Sequence, residues 1–226
     1  MLKIISLGGS IIIPKKGFDL KFLKSFRKLI LERVKAGDKF IFVVGGGATC
    51  REYQSAAQKV AGLKGKDLDW LGIHVTYLNA EFVRKIFGDL AYKEVVKDPS
   101  KKIKTTKAII VASGWKPGWS TDFDAVKLAE VYKGNLVVNM SNIDYVYDKD
   151  PAKFKNAKKL EKLNWKEMRK LVGDEWVPGR NVPFDPSATK LAQKLKLKVM
   201  FVEGTNLKQV KNVILGKKIE GTVVED

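Results

Sequence analysis

The chain has a single cysteine, Cys50, and a single histidine, His74. A lone cysteine cannot close an intrachain disulfide and suits a reducing compartment, so a cytoplasmic setting is expected. One histidine excludes a multi-histidine zinc site; His74 lies in a helical stretch and reads as a polar surface or interface residue. No apolar run approaches the ~20 residues needed to cross a bilayer. Met1 to Ser10 reads as a strand entering glycines, without the cationic start and long apolar core of a signal peptide. Acidic residues are scarce, 25 against 43 Lys plus Arg, for a net charge of +18. That balance favours anionic partners: nucleotides, phosphorylated metabolites or nucleic acid. Lys153, Lys155, Lys158, Lys159, Lys162 and Lys166 read as solvated faces. Two common phosphate signatures are missing, G-x-x-x-x-G-K-[ST] and G-x-G-x-x-G after a strand.

What is present is a globular composition, 45% apolar and 10% aromatic over 226 residues, enough for one domain or two packed lobes. Candidate strands fall at Lys3–Leu7, Lys39–Val44, Ala108–Ala112, Asn135–Met140 and Lys198–Val202, with a weak last one at Thr222–Val224. Helical periodicity fills the gaps. Asp19 can cap a helix with a stripe of Leu20, Leu23, Phe26, Ile30 and Val34. A second helix should leave Gly47. A third carries Leu68, Leu71, Val75, Leu78, Phe82 and Ile86. Asp122 can cap a fourth, Asp185-Pro186 opens a fifth, and a sixth spans Leu207 to Leu215. Strands alternating with helices predict an α/β fold, a mostly parallel sheet sandwiched by helices on both faces. A soft boundary near Lys133-Gly134 would divide lobes 1–133 and 134–226 of one continuous domain.

Twice an apolar strand runs into glycines and then toward a helix, at Leu7-Gly8-Gly9-Ser10 and at Val44-Gly45-Gly46-Gly47. Glycine lets backbone N–H groups approach an anion, and the helix adds its free N–H groups and dipole. Two such junctions suggest two phosphate-bearing ligands, or one phosphoryl group held between two sites. Two more segments follow strands: the rigid loop Ser113-Gly114-Trp115-Lys116-Pro117-Gly118-Trp119-Ser120-Thr121-Asp122, and the polar run Ser141-Asn142-Ile143-Asp144-Tyr145-Val146-Tyr147-Asp148-Lys149-Asp150-Pro151. Each also reads as an ordinary turn. Cys50, after the triple glycine, reads as a small packing residue.

Taken in order with Arg51, Leu68-Asp69-Trp70-Leu71-Gly72-Ile73, Leu78-Asn79-Ala80 and Asp185-Pro186 with Lys190, these segments run nearly end to end. The chain resembles the amino-acid kinase family, in particular its uridylate (UMP) kinase branch of archaeal type. The resemblance implies a UMP kinase of pyrimidine nucleotide biosynthesis, an αβα sandwich with UMP in the amino-terminal lobe and ATP in the carboxyl-terminal lobe. It implies that Gly9, Ser10, Gly47 and Arg51 hold phosphates, and that Gly46 and Asp69 bind UMP, the Asp at the ribose hydroxyls. Trp115, Lys116, Pro117, Gly118, Trp119, Ser120 and Thr121 would line the rest of the UMP pocket. Ser141, Asn142, Tyr147 and Asp150 would contact ATP. Arg51, Asp144 and Lys190 would be catalytic: Asp144 orients glycine-loop and lysine groups, and Lys190 stabilises phosphoryl charge. No metal ligand is assigned; Mg²⁺ would be held through nucleotide phosphates. A homohexamer is also implied. Two positions depart from the family pattern: Ser6 stands where many relatives have lysine, and Tyr145 where glycine is usual. Another small phosphate or carboxylate acceptor, or a non-catalytic nucleotide- or oxyanion-binding storage protein of the same fold, remain alternatives.

Overall fold

Strand β1 (Leu2–Leu7) is buried from Lys3 onward and pairs with neighbours on both sides. A strand apolar on both faces belongs in the middle of a covered parallel sheet. The structure is a computed structural model and describes residues 1–175 and 182–226. After β1 come α1 (Gly9–Ile12), α2 (Leu20–Lys35), β2 (Lys39–Val44), α3 (Gly47–Ala61), α4 (Lys66–Phe87), β3 (Ile109–Ala112), α5 (Thr121–Tyr132) and β4 (Leu136–Ser141). The remainder is β5 (Val146–Tyr147), β6 (Lys159–Leu160), β7 (Lys162–Leu163), α6 (Trp165–Val172), α7 (Pro186–Lys194), β8 (Lys198–Glu203), α8 (Leu207–Ile214) and β9 (Thr222–Val224).

Seven strands form one sheet in the order β3-β2-β1-β4-β8-β9-β7, and β5 pairs with β6 in a separate ribbon. The five strands from β3 to β8 run parallel; β9 is antiparallel to β8. The chain steps outward from β1 through β2 to β3, then returns to place β4 on the other flank of β1. Such a reversal opens a crevice beyond the carboxyl ends of the two adjacent strands, where α/β sheets bind ligands.

The core has two layers, one on each face of the sheet. Ile5, Leu7, Phe40 and Phe42 meet Phe26 and Ile30 of α2, Val83 and Phe87 of α4, and Val210 of α8. Ile4, Ile41 and Val43 meet Val126 and Ala129 of α5, Trp165 and Met168 of α6, and Ala188 of α7. The expected parallel sandwich is therefore present.

Local signals act as expected at several helix starts. Asp19 accepts from Phe22 N at 2.9 Å, and Asp185 accepts from Ala188 N at 2.7 Å with Pro186 next. Elsewhere the structure corrects the sequence. Leu20 is 63% exposed, because the inward stripe of α2 begins at Phe22 and Leu23. Ser120, not Asp122, caps α5 by accepting from Phe123 N; the Asp122 carboxyl is turned toward the sheet. On α4 the buried face is Gly72, Val75, Thr76, Asn79, Ala80, Val83 and Phe87, and Leu78 is 66% exposed. That face is rotated from the leucine stripe because polar Thr76 and Asn79 are needed inward, against loop backbone.

Helix α6 was hidden among lysines. It carries a capping box in which Asn164 accepts from Glu167 N and Glu167 accepts from Asn164 N. Its inward residues Trp165, Met168 and Val172 are fully buried, and Trp165 Nε1 donates to Leu197 O at 2.9 Å. Truncating Trp165 to alanine should therefore destabilise the fold by about 3–5 kcal/mol, read as a lower urea midpoint at unchanged slope. A loss within experimental scatter would show that α6 contributes little to the core.

Candidate active site

The two glycine junctions lie side by side at the crevice. Gly45 N donates to Leu7 O at 3.0 Å and Gly8 N to Met140 O at 2.9 Å, which ties both loops to the central strands. A Cβ on Gly9 would collide with Gly45 O and Gly47 N, so the loops touch backbone to backbone only because residue 9 has no side chain. Gly47 has φ +66°, a conformation open to glycine. Gly46 occupies the capping position of α3 and no side chain caps that helix, so its first N–H groups remain available to an anion. Arg51, one turn along α3, reaches across and donates from Nη2 to Ser10 Oγ at 3.2 Å. Lys15, Arg51, Ser55 and Lys59 line an adjoining groove of about 480 Å³. Gly9, Ser10, Gly46, Gly47 and Arg51 thus come together as the sequence leads one to expect.

The loop between β3 and α5 forms a second wall. Trp115 and Trp119 stack with centroids 6.4 Å apart, Lys116 Nζ sits 4.0 Å over the Trp115 ring, and Trp119 packs on Phe123 at 3.9 Å. Pro117 and Gly118 make the bend, Gly118 with φ +83°. Gly118 N donates to Asp69 Oδ2 at 2.9 Å, so Asp69 of α4 stands at this wall. Ser120 spends its hydroxyl oxygen on the α5 cap, and Thr121 begins the helix. His74 is exposed beside Trp70, as a surface residue.

On the other flank, Ser141 ends β4 with its Oγ buried and unpartnered, and Asn142 follows in the open. Asp144 is the hub of this segment. Its Oδ1 accepts from Tyr147 Oη at 2.9 Å and from Tyr145 N at 3.0 Å, and its Oδ2 from Lys159 Nζ at 2.6 Å. Burial pushes the Asp144 pKa up, but the bonds from Lys159 and Tyr147 outweigh it and hold the carboxyl below its ordinary value. Lys159 is therefore more than a solvated face: it pairs with Asp144 and lies 4.5 Å over the Tyr145 ring. Sequence reasoning missed it because Asp144 and Lys159 lie fifteen residues apart, joined by the β5–β6 ribbon. Tyr145 does not take positive φ, so the turn runs without the glycine conformation. Asp150 organises the next turn, accepting from Ala152 N at 2.9 Å. Lys190 projects from α7 into solvent, in no ion pair among the described residues.

Beneath the crevice lies a group the sequence did not single out, the carboxyls of Asp122, Asp124 and Asp185. Asp122 keeps an accessible edge, but its carboxyl is enclosed and accepts from Ser6 Oγ and Asn139 Nδ2, both at 2.9 Å. Asp124 is fully buried and accepts from Trp115 N at 3.1 Å. Asp124 Oδ1 and Asp185 Oδ2 have no partner, and no cation pairs with any of the three among the described residues. Burial, with neighbouring carboxylates adding to it, raises Asp122 to about 7 and Asp124 to about 8. Burial raises Asp185 too.

This architecture, a switch-point crevice between two touching glycine loops, coincides with what whole-chain comparison returns. The Amino acid kinase family model matches residues 1–203. The chain belongs to that family. Among its relatives are the uridylate kinases of Methanocaldococcus jannaschii, 34% identical, and Thermococcus kodakarensis, 33% identical, each aligned over 98% of both chains. The crystal structure of uridylate kinase from Archaeoglobus fulgidus superposes with a TM-score of 0.83 at 30% identity, over 99% of this chain and all of that one. UMP kinase from Bacillus anthracis shares the fold, with a TM-score of 0.77 at 21% identity.

The buried carboxyls give a pH dependence with a definite sign. Their folded pKa values lie above the ordinary 3.8, so between about pH 4 and 8 the folded protein binds more protons than the unfolded chain. The stability they contribute is complete below the unfolded value and is lost as pH rises through about 7 to 8. Asp122→Asn should flatten the decline in unfolding free energy across this window, read by urea denaturation at fixed ionic strength. An unchanged slope would place those protons elsewhere.

Proposed function

We propose that this protein is a UMP kinase, transferring the γ-phosphoryl group of ATP to a phosphate oxygen of UMP to give UDP and ADP. The observation that carries the reading is the backbone contact of the two glycine loops at the switch point, with Arg51 spanning them. Phosphoryl transfer between two anions demands positioning and charge neutralisation more than covalent catalysis. In the step, an oxygen of UMP forms a bond to the γ-phosphorus as the bond to the β,γ-bridging oxygen breaks, and ADP leaves. The attacking oxygen is already anionic, so no general base is required.

In this reading the lobe 1–133 takes UMP and the lobe 134–226 takes ATP. Asp69 would accept from the ribose, Gly46 would approach the UMP phosphate, and the Trp115–Thr121 loop would enclose the base. Gly9, Ser10, Gly47 and Arg51 would hold the phosphates in transit. Ser141, Asn142, Tyr147 and Asp150 would contact ATP; Asp144 would act through Lys159, and Lys190 would stabilise charge on the moving group. Ser6 is turned into Asp122 and away from that duty, which leaves Arg51 and Lys190 to supply the charge. No group of three His, Cys, Asp or Glu side chains suited to a metal exists among the described residues. In this reading Mg²⁺ would be held through the nucleotide phosphates, whose charge it would neutralise. A reducing cytoplasm suits the single cysteine, and no described helix is long and apolar enough to cross a membrane.

We also propose a homohexamer, on the strength of large apolar side chains left outward on α4, Trp70 at 46% and Leu78 at 66% exposure. Light scattering on purified protein should give six times the chain mass, and a strictly monomeric mass would end that proposal. The activity is tested with Mg-ATP against UMP, CMP, dUMP, AMP, isopentenyl phosphate and acetylglutamate. Turnover should be confined to UMP. Silence across the panel with ATP still bound would favour the storage-protein alternative instead.

A further inference from the structure

Helix α4 contributes more to the crevice than Asp69. Asp69, Thr76 and Asn79 succeed one another at spacings of seven and three, which stack side chains along one helix face. Each grips loop backbone. Asp69 Oδ2 accepts from Gly118 N at 2.9 Å, at one end of the aromatic loop. Thr76 Oγ1 accepts from Gly114 N at 2.8 Å, at the other end, while its own proton goes to Ile73 O at 2.7 Å. Asn79 Nδ2 donates to Gly45 O at 2.9 Å and to Gly46 O at 3.1 Å in the second glycine loop. Thr76 and Asn79 are 7% and 1% exposed, so neither bond has water as a ready substitute.

Peptide geometry turns these bonds into aim. In a trans peptide the carbonyl and the following N–H point in opposite directions. With Asn79 holding the carbonyls of Gly45 and Gly46, the N–H groups of Gly46 and Gly47 must face away from α4. Gly45 O and Gly47 N both lie against the first glycine loop, where a Cβ on Gly9 would sit, so fixing the Gly45 and Gly46 carbonyls fixes the face that loop meets. Thr76 acts likewise on the aromatic loop. Its proton is committed to Ile73 O, so the oxygen faces Gly114 as an acceptor and that loop starts at a fixed point. A Cβ on Gly114 would lie 3.0 Å from Thr76 Oγ1, so the close approach is eased by the glycine there.

We propose that α4 is a rigid ruler, with Thr76 and Asn79 as positioning residues that fix the acceptor loop and the second glycine loop at one separation for phosphoryl transfer. Two helical turns, about 10.5 Å, measure the aromatic loop from Thr76 to Asp69, and one further turn reaches Asn79 and the phosphates. Neither residue touches the reacting atoms; both act through backbone. The proposal rests on the kinase reading for its assay, though not for its geometry.

Paired substitutions separate hydrogen bonding from packing. Thr76→Val keeps the shape and loses the hydroxyl, and Thr76→Ser keeps the hydroxyl and loses a methyl. A buried N–H without a partner predicts a rise of about tenfold in the KM for UMP in Thr76→Val, with the KM for ATP near wild type and Thr76→Ser close to wild type throughout. The reverse order, serine worse than valine, would overturn the proposal in favour of plain packing. Asn79→Asp sets a carboxylate against two carbonyls and should lower kcat about tenfold or more with little change in either KM; an unchanged kcat in the folded variant would overturn it for Asn79. Amide exchange supplies a readout independent of activity: the Gly114 amide should exchange faster in Thr76→Val and not in Thr76→Ser. If the wild type phosphorylated no monophosphate, the kinase reading would fail alone, and the Gly114 comparison would still decide the ruler.

Discussion

The contact of two backbones at the crevice is the constraint on which the rest depends. Gly9 lies against Gly45 and Gly47 so closely that a methyl group there has no room. That proximity requires β1 and β2 to be adjacent and in register, as they are from Leu2 opposite Lys39 to Leu7 opposite Val44. Adjacency in a parallel pair requires a crossover, which α2 supplies with its apolar stripe on the sheet. The third partner, β4, closes the other flank and brings Ser141 beside Gly8. Each layer of the fold therefore serves to hold a few peptide groups at short range.

Electrostatics around that contact is uneven, in a way that suits its chemistry. On the crevice side the chain offers Arg51, Lys15 and open helix N–H groups. Below it, three carboxyls are shut in with no cation paired to them among the described residues, and Ser6 and Asn139 are neutral donors to Asp122. Burial disfavours their charge and pushes all three above the ordinary carboxylate value, Asp122 to about 7 and Asp124 to about 8. On the far flank Asp144 stays ionised because Lys159 and Tyr147 serve it directly. The same residue type is shifted in opposite directions according to what surrounds it.

The sequence disclosed the parts whose physics is local. An apolar run ending in glycine is visible from Phe40 to Gly47, and Asp19, Asp185 and Pro186 announce helix starts through caps that span three residues. The parallel sandwich and the glycine junctions followed from these. What stayed hidden was non-local or looked like something else. Asp122 has the right residue type for a cap, but its bond to Ser6 spans 116 positions, and no window reveals that. Helix α4 offered a leucine stripe, yet Thr76 and Asn79 face inward because glycine-loop carbonyls and N–H groups require partners. Trp165 was masked by flanking lysines, although its capping box from Asn164 to Glu167 was present to be read. Lys159 looked like its solvated neighbours until the β5–β6 ribbon brought it to Asp144.

The central position of β1 also governs the order in which the protein can assemble. Its pairing with β2 closes a short loop, whereas Ile4 meets Val137 only after a segment of roughly 130 residues has been brought back. Loop closure of that length is paid before its contacts are made, so β4 docks late. Gly204 N donates to Ser141 O at 2.8 Å, so that flank is finished only when β8 arrives near the end of the chain. During synthesis the amino-terminal glycine loops can meet early, with one edge of β1 still unpaired. The strand that covers the free edge of β1 is thus also the one that carries Ser141 to the crevice.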